Sequence, residues 1–180
     1  MSRRDYGVVS IAGNGGTMRS QLHTTTQVVS PMSGTVVALS DVPDPVFADL
    51  MIGPGLAILP DEPDADEAVR IVVVAPVAGR MVSVYPHAVV VALDADRSVL
   101  VHLGVDTEDL ATACFDVAVE EGELVLAGQP LLAWSPQCVR IKDRSVLCPV
   151  VALQAEPDDV AILVEPGDRV AEGQALLSWR

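Results

Sequence analysis

Aromatic side chains are scarce in this chain. Two Trp, two Tyr and two Phe make up 3% of its 180 residues. A core must therefore be assembled from Val, Leu, Ala and Ile, and with half of all residues hydrophobic there is ample material for one. That content excludes a disordered polypeptide, and the length fits a single domain. Lysine is almost missing, Lys142 being the only one. Acidic residues outnumber basic ones by 25 to 11, for a formal net charge of -14. Such a surface repels phosphate backbones, which argues against nucleic acid and favours a basic protein partner. The three cysteines, Cys114, Cys138 and Cys148, form no CxxC or Cys/His cluster, so a zinc ribbon is excluded. They are expected as buried, reduced thiols of a cytoplasmic protein. No apolar run approaches the roughly eighteen residues of a membrane span. Residues 1–26 carry Arg3-Arg4 without a continuous apolar segment behind them, so no signal peptide is expected.

Those first 26 residues are rich in Gly, Ser and Thr, as in Gly13-Asn14-Gly15-Gly16-Thr17, and read as a disordered tail. Met18 is an alternative start within it, and His23 is expected to be solvated. The domain, residues 27–180, contains an internal duplication. Val29-Ser30-Pro31-Met32-Ser33-Gly34 recurs as Val74-Ala75-Pro76-Val77-Ala78-Gly79. Gly122-Glu123-Leu124-Val125 through Gly128-Gln129-Pro130-Leu131-Leu132-Ala133-Trp134 recurs as Gly167-Asp168-Arg169-Val170 through Gly173-Gln174-Ala175-Leu176-Leu177-Ser178-Trp179. Both pairs share an offset of 45 residues, the mark of a repeated supersecondary unit. Short apolar runs such as Val36–Leu39, Ala57–Leu59, Ile71–Val74 and Met81–Val84 are punctuated by 13 Gly and 13 Pro. This predicts an all-β, mostly antiparallel sandwich or barrel with internal duplication, of the duplicated hybrid motif type. Helical turns are predicted only at Thr107–Leu110, with Thr107 as N-cap, and at Pro157–Ala161.

Two of the three histidines carry the chemistry. His102 closes the run Val99-Leu100-Val101 and meets a Gly-Val-Asp-Thr turn; His87 opens the run Ala88–Leu93. Strands joined by the turn Asp94–Ser98 would bring the two imidazoles together. A neutral imidazole in an apolar rim can attack a phosphoryl group while a second one hydrogen-bonds its oxygens. A turn carbonyl in Gly104-Val105 would hold the other ring nitrogen and fix the tautomer. The bland alternative is a pair of ordinary strand-end histidines. The repeat also resembles half of a biotinyl or lipoyl carrier domain, but Lys142, in Val139–Arg144, lacks a carrier lysine's hairpin context. A lysostaphin-type zinc peptidase needs HxH and HxxxD, and neither is present.

The combination of motifs resembles enzyme IIA of the glucose class in the bacterial sugar phosphotransferase system, in its actinobacterial-like branch. The segments that carry the resemblance are Ser30–Gly34, Asp41-Val42-Pro43-Asp44-Pro45-Val46-Phe47, Ile52–Ile58, Ala75–Gly79, Pro86-His87-Ala88, Leu100–Thr107 and Cys148–Val151, across residues 28–180. It implies that His102 accepts phosphate from the carrier HPr and that His87 assists without being phosphorylated. It places Asp44 and Asp106 at a rim that meets basic partner side chains, with Gly104 beside them, and Phe47, Met51 and Ile52 on an apolar docking face. The onward acceptor would be a cysteine of a IIB domain of a sugar permease. The implied protein is a phosphotransferase component without a cofactor or resident metal, and neither nucleic acid nor a membrane span is among its partners. Two alternative roles accompany it: a phosphorylation-dependent regulator of metabolic enzymes or transporters, and a zinc ion shared between His87, His102 and a partner carboxylate. Tyr85 departs from the pattern, standing where many relatives have Thr. So does Ala111-Thr112-Ala113-Cys114, where relatives carry glycines, and Val89, Leu100 and Leu103 replace aromatics common around the histidines.

Overall fold

The computed structural model describes residues 25–61 and 69–180. The expected tail, with Met18 and His23, falls almost wholly outside the described residues. Fourteen strands run in order: β1 (Thr26–Val29), β2 (Gly34–Val37), β3 (Gly55–Pro60), β4 (Ile71–Val74), β5 (Gly79–Tyr85), β6 (Ala88–Ala92), β7 (Ser98–His102), β8 (Phe115–Val117), β9 (Leu124–Val125), β10 (Pro130–Trp134), β11 (Cys148–Leu153), β12 (Val160–Ile162), β13 (Arg169–Val170) and β14 (Ala175–Trp179). Among the described residues these fourteen strands are interrupted by three short α-helices: α1 (Pro45–Ala48), α2 (Ala111–Cys114) and α3 (Pro136–Ile141). Every strand pairing is antiparallel. The long sheet has the order β13-β2-β3-β11-β7-β6-β5-β9, and two small sheets, β1-β14-β12 and β4-β10-β8, complete the fold. The all-β, antiparallel reading of the sequence is what the structure has.

The duplication is explicit in the hydrogen bonds. Val29 N–H donates to Pro76 O, and Val74 N–H donates back to Pro31 O, both at 2.9 Å. Met81 N–H donates to Glu123 O and Val36 N–H to Asp168 O, each shifted by the repeat. The glutamines kept in both copies do the same work: Gln129 Oε1 accepts from Leu126 N–H and Gln174 Oε1 from Ala171 N–H, both at 3.2 Å. The two small sheets are copies of each other, β1-β14-β12 matching β4-β10-β8, and β13-β2 matches β9-β5 at the ends of the long sheet. The core between them is aliphatic, with Val28, Ile58, Val73, Val89, Val91, Val99, Val101, Leu131 and Leu176 all fully buried. Its few aromatics are concentrated where Phe115 and Trp134 stack at 6.1 Å.

Helical content differs from the sequence expectation: α1, α2 and α3 are not among the predicted turns, and both predicted turns are altered. Asp44-Pro45 starts α1 and Ser135-Pro136 starts α3, and each polar side chain accepts a backbone N–H of the first turn. An N-cap followed by Pro at the first helical position favours a turn of helix even in a segment without helical periodicity. The predicted turn at 107–110 exists as a 3-10 turn at Glu108–Leu110, but Thr107 does not cap it. Its hydroxyl donates to Leu103 O at 2.9 Å, because the side chain is buried beneath the turn. At the second site only Pro157–Asp159 is helical; Val160 and Ala161 extend in β12.

The cysteine expectation requires correction. Cys114 and Cys138 are joined in a disulfide, because α2 and α3 pack together and bring their Cα atoms to 5.5 Å. Only Cys148 remains a free, buried thiol. Lys142 is the C-cap of α3 and lies on no hairpin tip, which disposes of the carrier-lysine geometry.

Gly34 and Gly79 occupy matching points of the repeat. A Cβ on Gly34 would collide with the carbonyl oxygen of Leu59, and one on Gly79 with that of Ala92. Gly128, by contrast, has φ +82° and open space around it. Gly34→Ala and Gly79→Ala are each expected to lose about 2–3 kcal/mol in urea unfolding, through displacement of the paired strand. Gly128→Ala should lose about 1 kcal/mol, from the backbone alone. Equal losses at all three would contradict the close-approach argument.

Candidate functional site

The site lies where the two copies differ. Between β2 and β3 stand residues 38–54, which include α1; the matching link between β5 and β6 is only Pro86 and His87. Residues 103–114 join β7 to β8, a longer link than 154–159 between β11 and β12. The insertions and the α3 connection converge on the end of β7.

His102 is the last residue of β7 and pairs with Ala88 at the start of β6. The ladder continues one step further, with Leu103 N–H donating to His87 O at 2.7 Å. The hairpin thus sets the two rings side by side, with centroids 5.1 Å apart, as the sequence suggests. Gly104 then takes φ +76°, and a side chain there would press on Ser145 O and Thr107 Cγ2 at 2.7 Å. This turn brings Gly104 O to 2.7 Å from His102 Nδ1. A carbonyl can only accept, so Nδ1 carries the proton and Nε2 presents its lone pair outward. The Val105–Ser145 bridge, with Val105 N–H donating to Ser145 O at 2.9 Å, anchors the turn from the α3 connection.

His102 is buried, and Phe47 from α1 closes its flank edge-on at 5.5 Å. Burial holds the His102 imidazole below its ordinary value, opposed by the Gly104 carbonyl and by the charges of Glu108, Asp44 and Asp106. His87 is half-buried and also lowered, chiefly by burial and then by its neighbour His102. Both rings are therefore kept neutral near pH 7, as a nucleophile requires. Tyr85 stacks on His87 at 5.8 Å, so the position supplies an aromatic face against the ring. Cys148 is no rival nucleophile: burial pushes its thiol up to about 12.

The remaining expected residues divide. Asp44 caps α1 and contributes to the field at His102; Asp106, at φ +57°, is exposed on the turn. Phe47 and Gly104 lie below the rim: Phe47 belongs to a small core with Leu39, Val42, Ala57, Val105 and Val151. Met51 is 70% exposed and, with Ile52, lines a groove of about 450 Å³ beside Val82, Val90 and Leu153. One residue escaped the sequence reading. Glu108, which falls inside the turn predicted at Thr107–Leu110 but is given no role there, places Oε1 at 3.9 Å from His102 Nε2. The available signal was its place on the same short turn as Asp106, six residues after His102. Donor atoms of His87, His102 and Glu108 all lie within 4.8 Å of one another, so the chain itself offers three groups that could hold a divalent ion.

Two expectations follow from this geometry. In the unfolded chain His87 and His102 bind protons near the ordinary imidazole value of 6.5, whereas in the folded chain burial resists them. Stability should be level above about pH 7, fall as pH drops through 6.5, and stop responding to the histidines below their folded values. The double variant His87→Gln/His102→Gln should flatten that fall in chemical denaturation; an unchanged slope would deny the histidines this role. Phe47→Ala should cost about 3 kcal/mol and raise the His102 pKa by admitting water, as read by NMR titration.

Comparison with known proteins agrees with this geometry. Residues 26–158 match the model of the phosphoenolpyruvate-dependent sugar phosphotransferase system, EIIA 1 family. A glucose-specific EIIA component of Staphylococcus aureus is 36% identical over 126 residues, 69% of this chain and 71% of that protein. The mannose-specific EIIBCA component of Corynebacterium glutamicum is 39% identical over 130 residues; the match spans 71% of this chain but 18% of that protein. The glucose permease IIA of Mycoplasma capricolum superposes with a TM-score of 0.74 at 26% identity, covering 87% of this chain and 96% of that one. The chain belongs to the EIIA 1 family of the phosphoenolpyruvate-dependent sugar phosphotransferase system.

Proposed function

We propose that this chain is a phosphocarrier of sugar uptake, with His102 Nε2 as the atom that carries the phosphoryl group. The observation that bears most weight is the 2.7 Å contact of Nδ1 with Gly104 O, which leaves one nitrogen free and aims it outward beside a second imidazole. The phosphoryl group would arrive from the phosphohistidine of HPr. The donor P–N bond breaks, a P–N bond forms to Nε2, and the proton on Nδ1 stays where it is. The His87 ring, 5.1 Å away, is placed to donate a hydrogen bond to the phosphoryl oxygens. In the onward step a cysteine thiolate of a IIB domain attacks phosphorus and Nε2 recovers its lone pair. Fused EIIBCA relatives, in which this domain travels with B and C parts, support a IIB acceptor.

The chain's charge of -14 suits a basic donor surface, and the exposed Tyr85, stacked on His87, offers apolar contact at the rim. Gly104, Asp44 and Asp106 shape that surface, and a cytoplasmic location is where HPr would be met. The same face gains two negative charges on phosphorylation, so it could also sort regulatory partners by phosphorylation state.

Incubation with phosphoenolpyruvate, enzyme I and HPr should add one acid-labile phosphate by intact mass, mapping to His102. His102→Gln should not be labelled. His87→Gln should be labelled but should transfer to the IIB domain at least about tenfold more slowly, as expected for loss of a hydrogen bond to the transferring group. Labelling of His102→Gln would refute the site assignment, and unimpaired transfer by His87→Gln would remove the assisting role.

A further inference from the structure

The phosphoryl group would meet a negative charge already in place. Glu108 Oε1 lies 3.9 Å from Nε2, the nitrogen that Gly104 O leaves free. The backbone that carries this carboxylate has little freedom to move. Its turn is held at the front by Thr107, whose hydroxyl bonds Leu103 O and whose own carbonyl accepts from Leu110 N–H at 3.1 Å. It is held at the back by the Asp109–Arg144 ion pair at 3.3 Å and by the Cys114–Cys138 disulfide at the end of α2. Arg144, the cation at this turn, is engaged with Asp109.

Resting on the phosphocarrier reading, we propose that Glu108 sets the transfer equilibrium of His102: its carboxylate, carried on a braced turn, opposes a phosphoryl group on Nε2 and keeps the phosphohistidine a ready donor. The phosphoryl oxygens carry about two negative charges and would extend from Nε2 toward the carboxylate. Two like charges about 4 Å apart repel even through a water-like medium. Glu108 is 63% exposed, so the effect is screened and modest rather than prohibitive. The other charged and titratable groups facing His102 are His87 from the β5–β6 link, Asp44 from α1 and Asp106 from the same turn as Glu108. Asp44 and Asp106 act in the same direction but more weakly, and Glu108 is the carboxylate paired with the ring nitrogen Nε2, at 3.9 Å. Neither phosphorylation step requires Glu108 to gain or lose a proton. It acts through the energy of the phosphorylated state alone.

The test is the partition of phosphoryl groups between HPr and this protein at equilibrium, for wild type, Glu108→Gln, Glu108→Asp and the control Glu172→Gln. Glu108→Gln should raise the ratio of phosphorylated to free protein by roughly three- to tenfold at a fixed HPr phosphorylation level. Glu108→Asp, which keeps the charge but withdraws it, should fall between, and Glu172→Gln should match wild type. The gain should shrink in about 0.5 M salt, where screening shortens to a few ångströms. In the same variant the NMR-measured His102 pKa should fall, since a charge that favoured the imidazolium is gone; a packing defect that admitted water would raise it. A ratio for Glu108→Gln within twofold of wild type, with His102 still labelled, overturns the inference and leaves the carrier reading intact. So does a raised His102 pKa. Failure of wild type itself to accept phosphate overturns the carrier reading, and this inference with it.

Discussion

One hydrogen bond decides what the site can do. Gly104 O takes the proton-bearing face of His102, and the ring is left with a single reactive nitrogen in a known direction. That bond requires the chain to reverse within two residues, which is why position 104 adopts φ +76° in a space closed by Ser145 O and Thr107. Glycine alone tolerates both demands. Ser145 belongs to the link after α3, and α3 is fixed by its Ser135 cap and by the disulfide to α2. A chain of contacts across three connections thus terminates in the orientation of one imidazole. Loss of any member would loosen the tautomer before it touched the sheet.

The fold explains why such a site arises in a duplicated protein. Symmetric halves bury symmetric residues, and the strands of the repeat are spent on an aliphatic core. Chemistry needs unlike groups at one point. It is found at the segments without a counterpart: 38–54 supplies Asp44 and Phe47, 103–114 supplies Gly104, Asp106 and Glu108, and the α3 link braces them. The short β5–β6 link supplies His87 where the first half has its insertion. Stability and function are in this sense divided between the copied and the uncopied parts of the sequence.

This division also governs what the sequence made legible. Strands and duplication are readable because Gly34/Gly79, Gln129/Gln174 and Trp134/Trp179 recur in one register, and the Gly and Gln pairs meet matching contacts in both copies. The histidine pair was readable because a hairpin fixes which residues oppose each other, and the turn at Asp94–Ser98 sets that register. The helices α1 and α3 were not, since four to six residues cannot display a helical period; only the Asp-Pro and Ser-Pro caps announce them. The disulfide was not, because its cysteines are 24 residues apart and meet only through the packing of two unforeseen helices. Glu108 was hidden for a related reason. Its neighbours Asp106 and Asp109 look the same in sequence, and only the phase of a 3-10 turn selects which acid faces the ring.

The acidity of the chain and the chemistry of its site then stop looking opposed. A net charge of -14 with carboxylates gathered at the nucleophile is a poor design for holding a phosphoryl group tightly. Tight holding is not what a relay needs. A phosphocarrier must both accept the group and pass it on, so its bound state has to lie near the energy of its neighbours on either side. The apolar flank of Phe47 and the depressed basicity of both rings favour acceptance, by keeping a lone pair available. The carboxylates favour release, by raising the energy of the charged product. Acting on one nitrogen, the two influences keep transfer reversible. The basic surface of an incoming donor would shift the balance toward acceptance only while it is docked, when its charges offset those of the rim.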